Sequence, residues 1–537
     1  MNPLSATRKS LAFILAILAW ATLAACHNTT AEPSSAPRIG DTATLDGHTS
    51  QDDIESGSLT LDQIVERGER LFTTSFNTLD GAGRPETTDV SPDNFRPART
   101  FPDNFNRISG PDANACSSCH GVPRLGGGGD NATNVFVLAD GFHFVNFDGG
   151  EGDDFQAHTL RTVGNERTSL GLFGSGYIEL LAREMTEDMH AIRDEARKQA
   201  RDSGAPVSLP LTAKGVEFGT ITASTDGSLD TSRVEGVDPD LVIRPFMQKG
   251  TIVSLREFAV KAMNQHFGMQ ASERFGDAVD HDADGMADEL TRGDISALVI
   301  FQAMLPPPGR VMPDHPEARA AAQRGEALFS ALECSICHIP ELPLNNQVFT
   351  EPNPFNPAGK LQVFEVANAY SVPLPDGGET TGLRSGPDDT IMVPVFTDLK
   401  RHSMGDILNN ETREEEMVPT DQWLTRKLWG FANEPPYLHH GRATLISEAI
   451  LAHGGEAQTS RDAFAALSSA DRASVVEFLK TLQIMPESVE SSLPSTQLPI
   501  FGSAIVWAAI VGVTVGTLAT ILALYLLGFR PRRKARP

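Results

Sequence analysis

Apolar positions along the chain fall into two copies of one helical arrangement. The run Arg67-Gly68-Glu69-Arg70-Leu71-Phe72 returns as Arg324-Gly325-Glu326-Ala327-Leu328-Phe329. Further along each copy an aspartate opens a second stripe, Asp294 ahead of Phe301 and Leu305, and Asp471 ahead of Phe478 and Leu482. Aspartate and phenylalanine are seven residues apart in both, phenylalanine and leucine four, which sets the apolar side chains on one helical face. Each copy is therefore predicted to open and close with a helix. Pro306-Pro307-Pro308-Gly309 stops the helix ending near Leu305 and separates the copies. Two longer apolar runs occupy the ends. Leu11 to Leu23 follows Arg8 and Lys9, as in an export signal. Ile500 to Phe529 holds no charged residue, and at about 1.5 Å per residue it is long enough to cross ~30 Å of hydrocarbon.

The pattern divides the chain into a signal peptide (1–25), a tether (26–57), a first domain (58–308), a second domain (309–486), a linker (487–499), a transmembrane helix (500–529) and a basic tail (530–537). Arg530, Arg532, Arg533, Lys534 and Arg536 put the tail on the cytoplasmic side and everything before residue 500 outside. Leu23-Ala24-Ala25-Cys26 resembles a bacterial lipoprotein signal, which implies lipidation at Cys26; an ordinary signal peptide cut after Ala25 is the alternative.

Apolar residues make up 40% of the chain and charged residues 21%, which allows a sizeable core and excludes a disordered chain. The net charge of −26 excludes nucleic acid as a natural partner and favours a basic protein. Four of the five cysteines fall in Cys116-Ser-Ser-Cys119-His120 and Cys334-Ser-Ile-Cys337-His338, leaving only Cys26. In such a motif the thiols form thioethers with haem vinyl groups and the histidine takes an axial position on iron. Two covalently bound c-type haems are expected, with His120 and His338 as proximal ligands. The order of helix, motif, long insertion and closing helix resembles the cytochrome c plan, in which glycine on the first helix lets the last cross closely. The fold this implies is mainly α: two tandem cytochrome c-like haem domains with long loop insertions.

The segment Lys427-Leu-Trp429-Gly-Phe-Ala-Asn-Glu-Pro435-Pro436-Tyr437-Leu-His439-His440-Gly441-Arg442, followed by Glu448-Ala449-Ile450-Leu-Ala-His453, resembles the stretch after the second haem in dihaem cytochrome c peroxidases and their MauG-like relatives. It is most similar to the dihaem oxidoreductase branch. The resemblance implies an axial ligand for the second haem about fourteen residues after His439, at His453, with His402 and Met404 as rivals. It places the reactive pocket of the first haem around Asn165 to Met185 and implies a carboxylate there to move protons. Glu179 and Glu184 are the candidates, with Arg167 beside them. Five residues apart on a helix, the two glutamates cannot both face the iron, and Glu179 is preferred. The indole that relatives hold between their haems has no counterpart in the first domain, where Tyr177 is the nearest substitute. His143 and His158 are candidate distal histidines for the first haem.

Asp280, Asp282 and Asp284, with Gly285, match the first half of a calcium loop, although Thr291 stands where a bidentate glutamate is usual; an acidic helix-capping loop is the alternative. His266 and Met269 read as packing residues. The expected activity is reduction of hydrogen peroxide at the first haem. Electrons would enter through the second from a small cytochrome c, a cupredoxin or a membrane quinol. MauG-like oxidation of another substrate, and plain electron carriage from quinols to periplasmic acceptors, are the rivals. The expected location is a bacterial inner membrane, with the haem domains in the periplasm.

Overall fold

The computed structural model describes residues 40–83, 113–136, 164–281, 284–411 and 414–486. The paired helices are present in both halves. Leu61–Thr73 starts at a capping box in which Thr60 and Gln63 satisfy each other's backbone amides. It crosses Arg292–Ala303 at Gly68, where a β-carbon would overlap the carbonyl of Ala297. In the second half Pro316–Ala331 crosses Ser469–Leu479 at Gly325, against the carbonyl of Ser474. The repeated aspartates are cap residues: Thr291 accepts a hydrogen bond from the Asp294 amide, and Ser468 from that of Asp471. The repeated phenylalanines meet across each crossing, with ring centroids 5.2 Å apart for Phe72 and Phe301 and 5.3 Å for Phe329 and Phe478. Replacing Gly325 by alanine should therefore destabilise the fold by about 1–3 kcal/mol. Chemical denaturation would read this, and an unchanged midpoint would contradict the crossing.

The expectation of a mainly α fold is corrected: the chain is mixed α/β. The insertions read as loops instead form short antiparallel strands, in six small sheets among the described residues. Val207–Ala213, Val216–Ala223 and Leu229–Val234 make one three-stranded sheet. Its first hairpin turns at Lys214 and Gly215, both at positive φ, the pairing suited to a two-residue turn. In the second half Leu342–Leu344 pairs with Ile391–Val393, Val348–Glu351 with Tyr370–Pro373, and Arg401–Ser403 with Gln422–Leu424. The apolar core does not divide at residue 308. Leu342, Phe349, Val393 and Val395 pack in one cluster with Phe72, Tyr177 and Phe301, and a smaller cluster of Phe329, Phe396, Phe464 and Phe478 surrounds the second Cys-x-x-Cys-His motif.

The expected inner-membrane placement is also corrected. Among the described residues no helix is long and apolar enough to cross a membrane. The longest, Ser175–Ser203, carries charges along its whole length. The run 500–529, the basic tail and Cys26 lie outside the described residues.

A buried charge cluster ties the halves together. Arg256, fully buried, pairs with Glu273 and Glu351, the latter from a strand of the second half. Burial pushes the Glu351 carboxyl up to about 7 despite Arg256, and Glu179 nearby adds to the rise. A carboxyl raised in this way contributes stability that is complete below its ordinary 4.5 and is lost as pH climbs towards 7. Glu351→Gln should flatten that decline in melting temperature between those pH values. A variant whose pH profile parallels the parent's would remove Glu351 as its source.

Candidate active site

Each Cys-x-x-Cys-His motif opens onto its own cavity. The second encloses about 1770 Å³, part of it open to solvent, and is lined by Cys334, Cys337, His338, Met404, Trp423 and His453 among others. Phe329 fixes one side, its ring 6.4 Å from that of His338. His338 Nδ1 lies 3.1 Å from the Phe396 carbonyl and His453 Nδ1 lies 2.8 Å from the Ala449 carbonyl. A carbonyl can only accept, so both Nδ1 atoms carry hydrogen and each neutral ring keeps a lone pair on Nε2. Burial holds the rings neutral, pushing His338 down to about 4 and lowering His453 as well. The two ring centroids stand 6.5 Å apart. Two imidazoles sharing one metal ion through bonds of about 2 Å would stand roughly 6.3 Å apart. Two thiols, two imidazoles with free Nε2 and a roomy, largely apolar cavity fit a haem.

His402, the rival ligand, is occupied at both nitrogens: Nε2 bonds Asp398 at 2.8 Å and Nδ1 bonds Glu456 at 2.7 Å. Burial opposes its charge, but Asp398 and then the free Cys337 thiol raise it to about 11, and with both nitrogens bonded to carboxylates it has no lone pair to offer. Met404 lines the second cavity. Cys337, Asp398 and His402 are the one trio of metal-capable side chains brought together among the described residues, and the thiol belongs to the haem motif.

The first cavity encloses about 1460 Å³ and is lined by Cys116, Cys119, His120, Arg167, Gln248, His266, Gln302, Arg426 and Lys427 among others. Phe72 stands to His120 as Phe329 does to His338, at 6.2 Å. His120 is pushed down to about 4, chiefly by burial and then by His266, and its Nδ1 is buried without a hydrogen-bond partner. The pair of thiols with a neutral imidazole again fits a haem.

Neither candidate glutamate reaches this cavity. Glu179 is fully buried in an ion pair with Arg183 and accepts from the Asn353 amide at 2.7 Å and the Leu255 backbone at 2.7 Å. Glu184 pairs with Lys214 and holds the backbone amides of Asn345 and Asn346. Arg167 does line the cavity, bound to Glu411 and Glu415. Tyr177 is buried in the core, donating to the Pro375 carbonyl at 3.2 Å, with burial raising it to about 12. His143, His158 and Asp282 lie outside the described residues. Asp280 and Asp284 accept backbone amides of their own turn, and Thr291 caps the next helix. Met269 is buried in the core, but His266 is not a packing residue alone, since it lines the cavity.

The wall between the cavities comes mostly from the second half. Gln248, Leu424, Thr425 and Arg426 line both. Trp423, beside them, stacks on His439 with centroids 3.6 Å apart and planes 18° apart, and the Lys249 ammonium sits 3.7 Å from the indole centroid. The block at residues 434–439 clamps the loops of the first cavity. Glu434 accepts the Gly128 amide at 2.9 Å, and the His439 carbonyl accepts the Thr168 amide at 2.7 Å. A β-carbon at Gly171 would collide with the Glu434 carboxylate. Nothing local in the sequence marks Trp423 for this place, since it comes from the second half.

The family described as "Di-haem oxidoreductase, putative peroxidase" matches residues 384–482, the stretch carrying His402, Trp423, His439 and His453. Among solved structures, hydrazine synthase of Kuenenia stuttgartiensis is similar at 14% identity over 83% of this chain and 100% of its own, with a TM-score of 0.33. A MauG-like protein associated with microbial copper homeostasis is similar at 15% identity over 49% of this chain and 77% of its own, with a TM-score of 0.22. No curated protein matches the chain. Over residues 384–482 the chain is thus similar to the di-haem oxidoreductases described as putative peroxidases.

Proposed function

We propose that the protein holds both haems covalently, reduces hydrogen peroxide at the first and draws electrons in through the second. The observation that supports this reading is the difference between the cavities. In the second, His338 and His453 stand at a spacing at which both could hold one haem iron, which would suit that haem to electron transfer. In the first, His120 shares the cavity with His266 and with Arg167 and Gln302, polar side chains absent from the second cavity that can hold a small substrate. Haem, once bound, supplies the redox change and an exchangeable coordination position. Cys116 with Cys119, and Cys334 with Cys337, anchor the two groups. His120 and His338 are the proximal ligands and His453 closes the second site. Arg167, fixed by Glu411 and Glu415, keeps a positive charge on the wall where the substrate would lie. One hydrogen peroxide with two electrons and two protons gives two waters. The strongly acidic chain favours a small, positively charged electron carrier, such as a cytochrome c or a cupredoxin, as donor.

Visible and EPR spectra test the reading. One high-spin, cyanide-binding haem and one low-spin haem are expected, and Cys116→Ala with Cys119→Ala should remove the high-spin signal. Two inert low-spin haems would make the chain an electron carrier instead.

A further inference from the structure

The helix Leu255–Ala262 runs into a π-helical turn, Met263–Phe267, ended by Gly268 at a φ of 79°. Leu255, Phe258, Ala259, Ala262, Met263 and His266 all line the first cavity. Their spacing places them on one helical face, and π turns of this kind often mark functional positions. His266 thus shares the cavity with His120, near enough that a proton on His266 disfavours one on His120.

Reduction of a peroxide needs a group that can accept a proton and give it back. The described residues lining the cavity include no aspartate or glutamate, and both candidate glutamates are bound elsewhere. Arg167 and Arg426 cannot release a proton. Lys427, which burial pushes down to about 8, is held against the carbonyls of Gly171, at 2.8 Å, and Phe173. Imidazole is the side chain suited to the exchange near neutral pH.

We infer that His266 is the distal proton-exchanging residue of the first cavity. The inference rests on the peroxidase reading. His266 takes the proton from the oxygen by which hydrogen peroxide binds and passes it to the other oxygen. The O–O bond breaks and that second oxygen leaves as water. Two electrons from the donor and two protons from solvent complete the balance and give the second water.

Hydrogen cyanide, which must also lose a proton to bind, is the probe. Its association with the first haem is followed by stopped flow in the full dihaem protein and in His266→Ala and His266→Gln, beside haem content and EPR spectra. Both variants should keep two haems and parental spin states. Cyanide association should fall by about 100-fold in each, the lower range for a lost acid–base group. The parent's rate should vary with pH, and the part of that dependence carried by His266 should vanish in His266→Gln. Rates within about threefold of the parent would overturn the inference, as would a change of spin state at the first haem, which would make His266 an iron ligand. A parent that binds no cyanide would overturn the peroxidase reading itself.

Discussion

Replacing His453 by alanine should turn the haem carried by Cys334 and Cys337 from low spin to high spin while leaving its covalent attachment intact. The imidazole is half-buried, its Nδ1 is committed to the Ala449 carbonyl, and its ring stands 6.5 Å from that of His338. Removing it deletes a strong-field ligand and leaves space that no neighbouring ring fills, since His402 is held at both nitrogens by Asp398 and Glu456. His453→Met is the sharper variant. It should stay low spin and raise the reduction potential, because thioether ligation favours the ferrous state. EPR and a redox titration check both outcomes. A low-spin spectrum retained in His453→Ala would transfer the role to Met404, the remaining rival in that cavity.

Glu411→Gln should cost about 3–5 kcal/mol of stability, the usual penalty for removing one partner of a buried ion pair. Glu411 is 2% exposed and sits between Arg167 and Lys249, themselves 5% and 0% exposed, so the variant leaves two buried cations short of a counter-charge. Burial has already lowered the Lys249 ammonium, and without Glu411 it falls further. A lysine lowered in the folded state releases its proton there first, so stability rises with pH from the folded value up to the ordinary 10.5. The deficit of the variant should therefore narrow towards alkaline pH. Denaturant titrations across pH check this, with Glu415→Gln, at a more exposed partner of Arg167, as the milder comparison. A loss under about 1 kcal/mol would show that Glu411 does not carry the cluster.

The paired helices and the glycine crossings at Gly68 and Gly325 were legible because the same glycine and the same apolar stripe recur in both halves of the chain. The strands were harder. Val207–Ala213 and Val216–Ala223 do alternate, with Leu211, Ala213, Val216, Phe218 and Ile221 buried, but attention to the helical repeat hid a period of two. Strands such as Arg401–Ser403 and Gln422–Leu424 are too short for any pattern and exist by pairing across a long loop. Helical geometry showed that Glu179 and Glu184 could not act together, yet nothing local tells that Arg183 and Lys214 would claim them. His266 did leave a signal, the stripe from Leu255 to His266, which spacing could have found. Trp423 left none, because its place beside the wall arises only when the second half folds against the first.

That wall also sets an order of assembly. Cys116, Cys119 and His120 are made early in synthesis, but Leu424, Thr425, Arg426 and Lys427, which complete their cavity, come near the end. The first site is thus completed only after the second motif, Cys334 to His338, has been made, and a nascent chain carries its first attachment motif as an open half-shell until residues 424–427 arrive to close it.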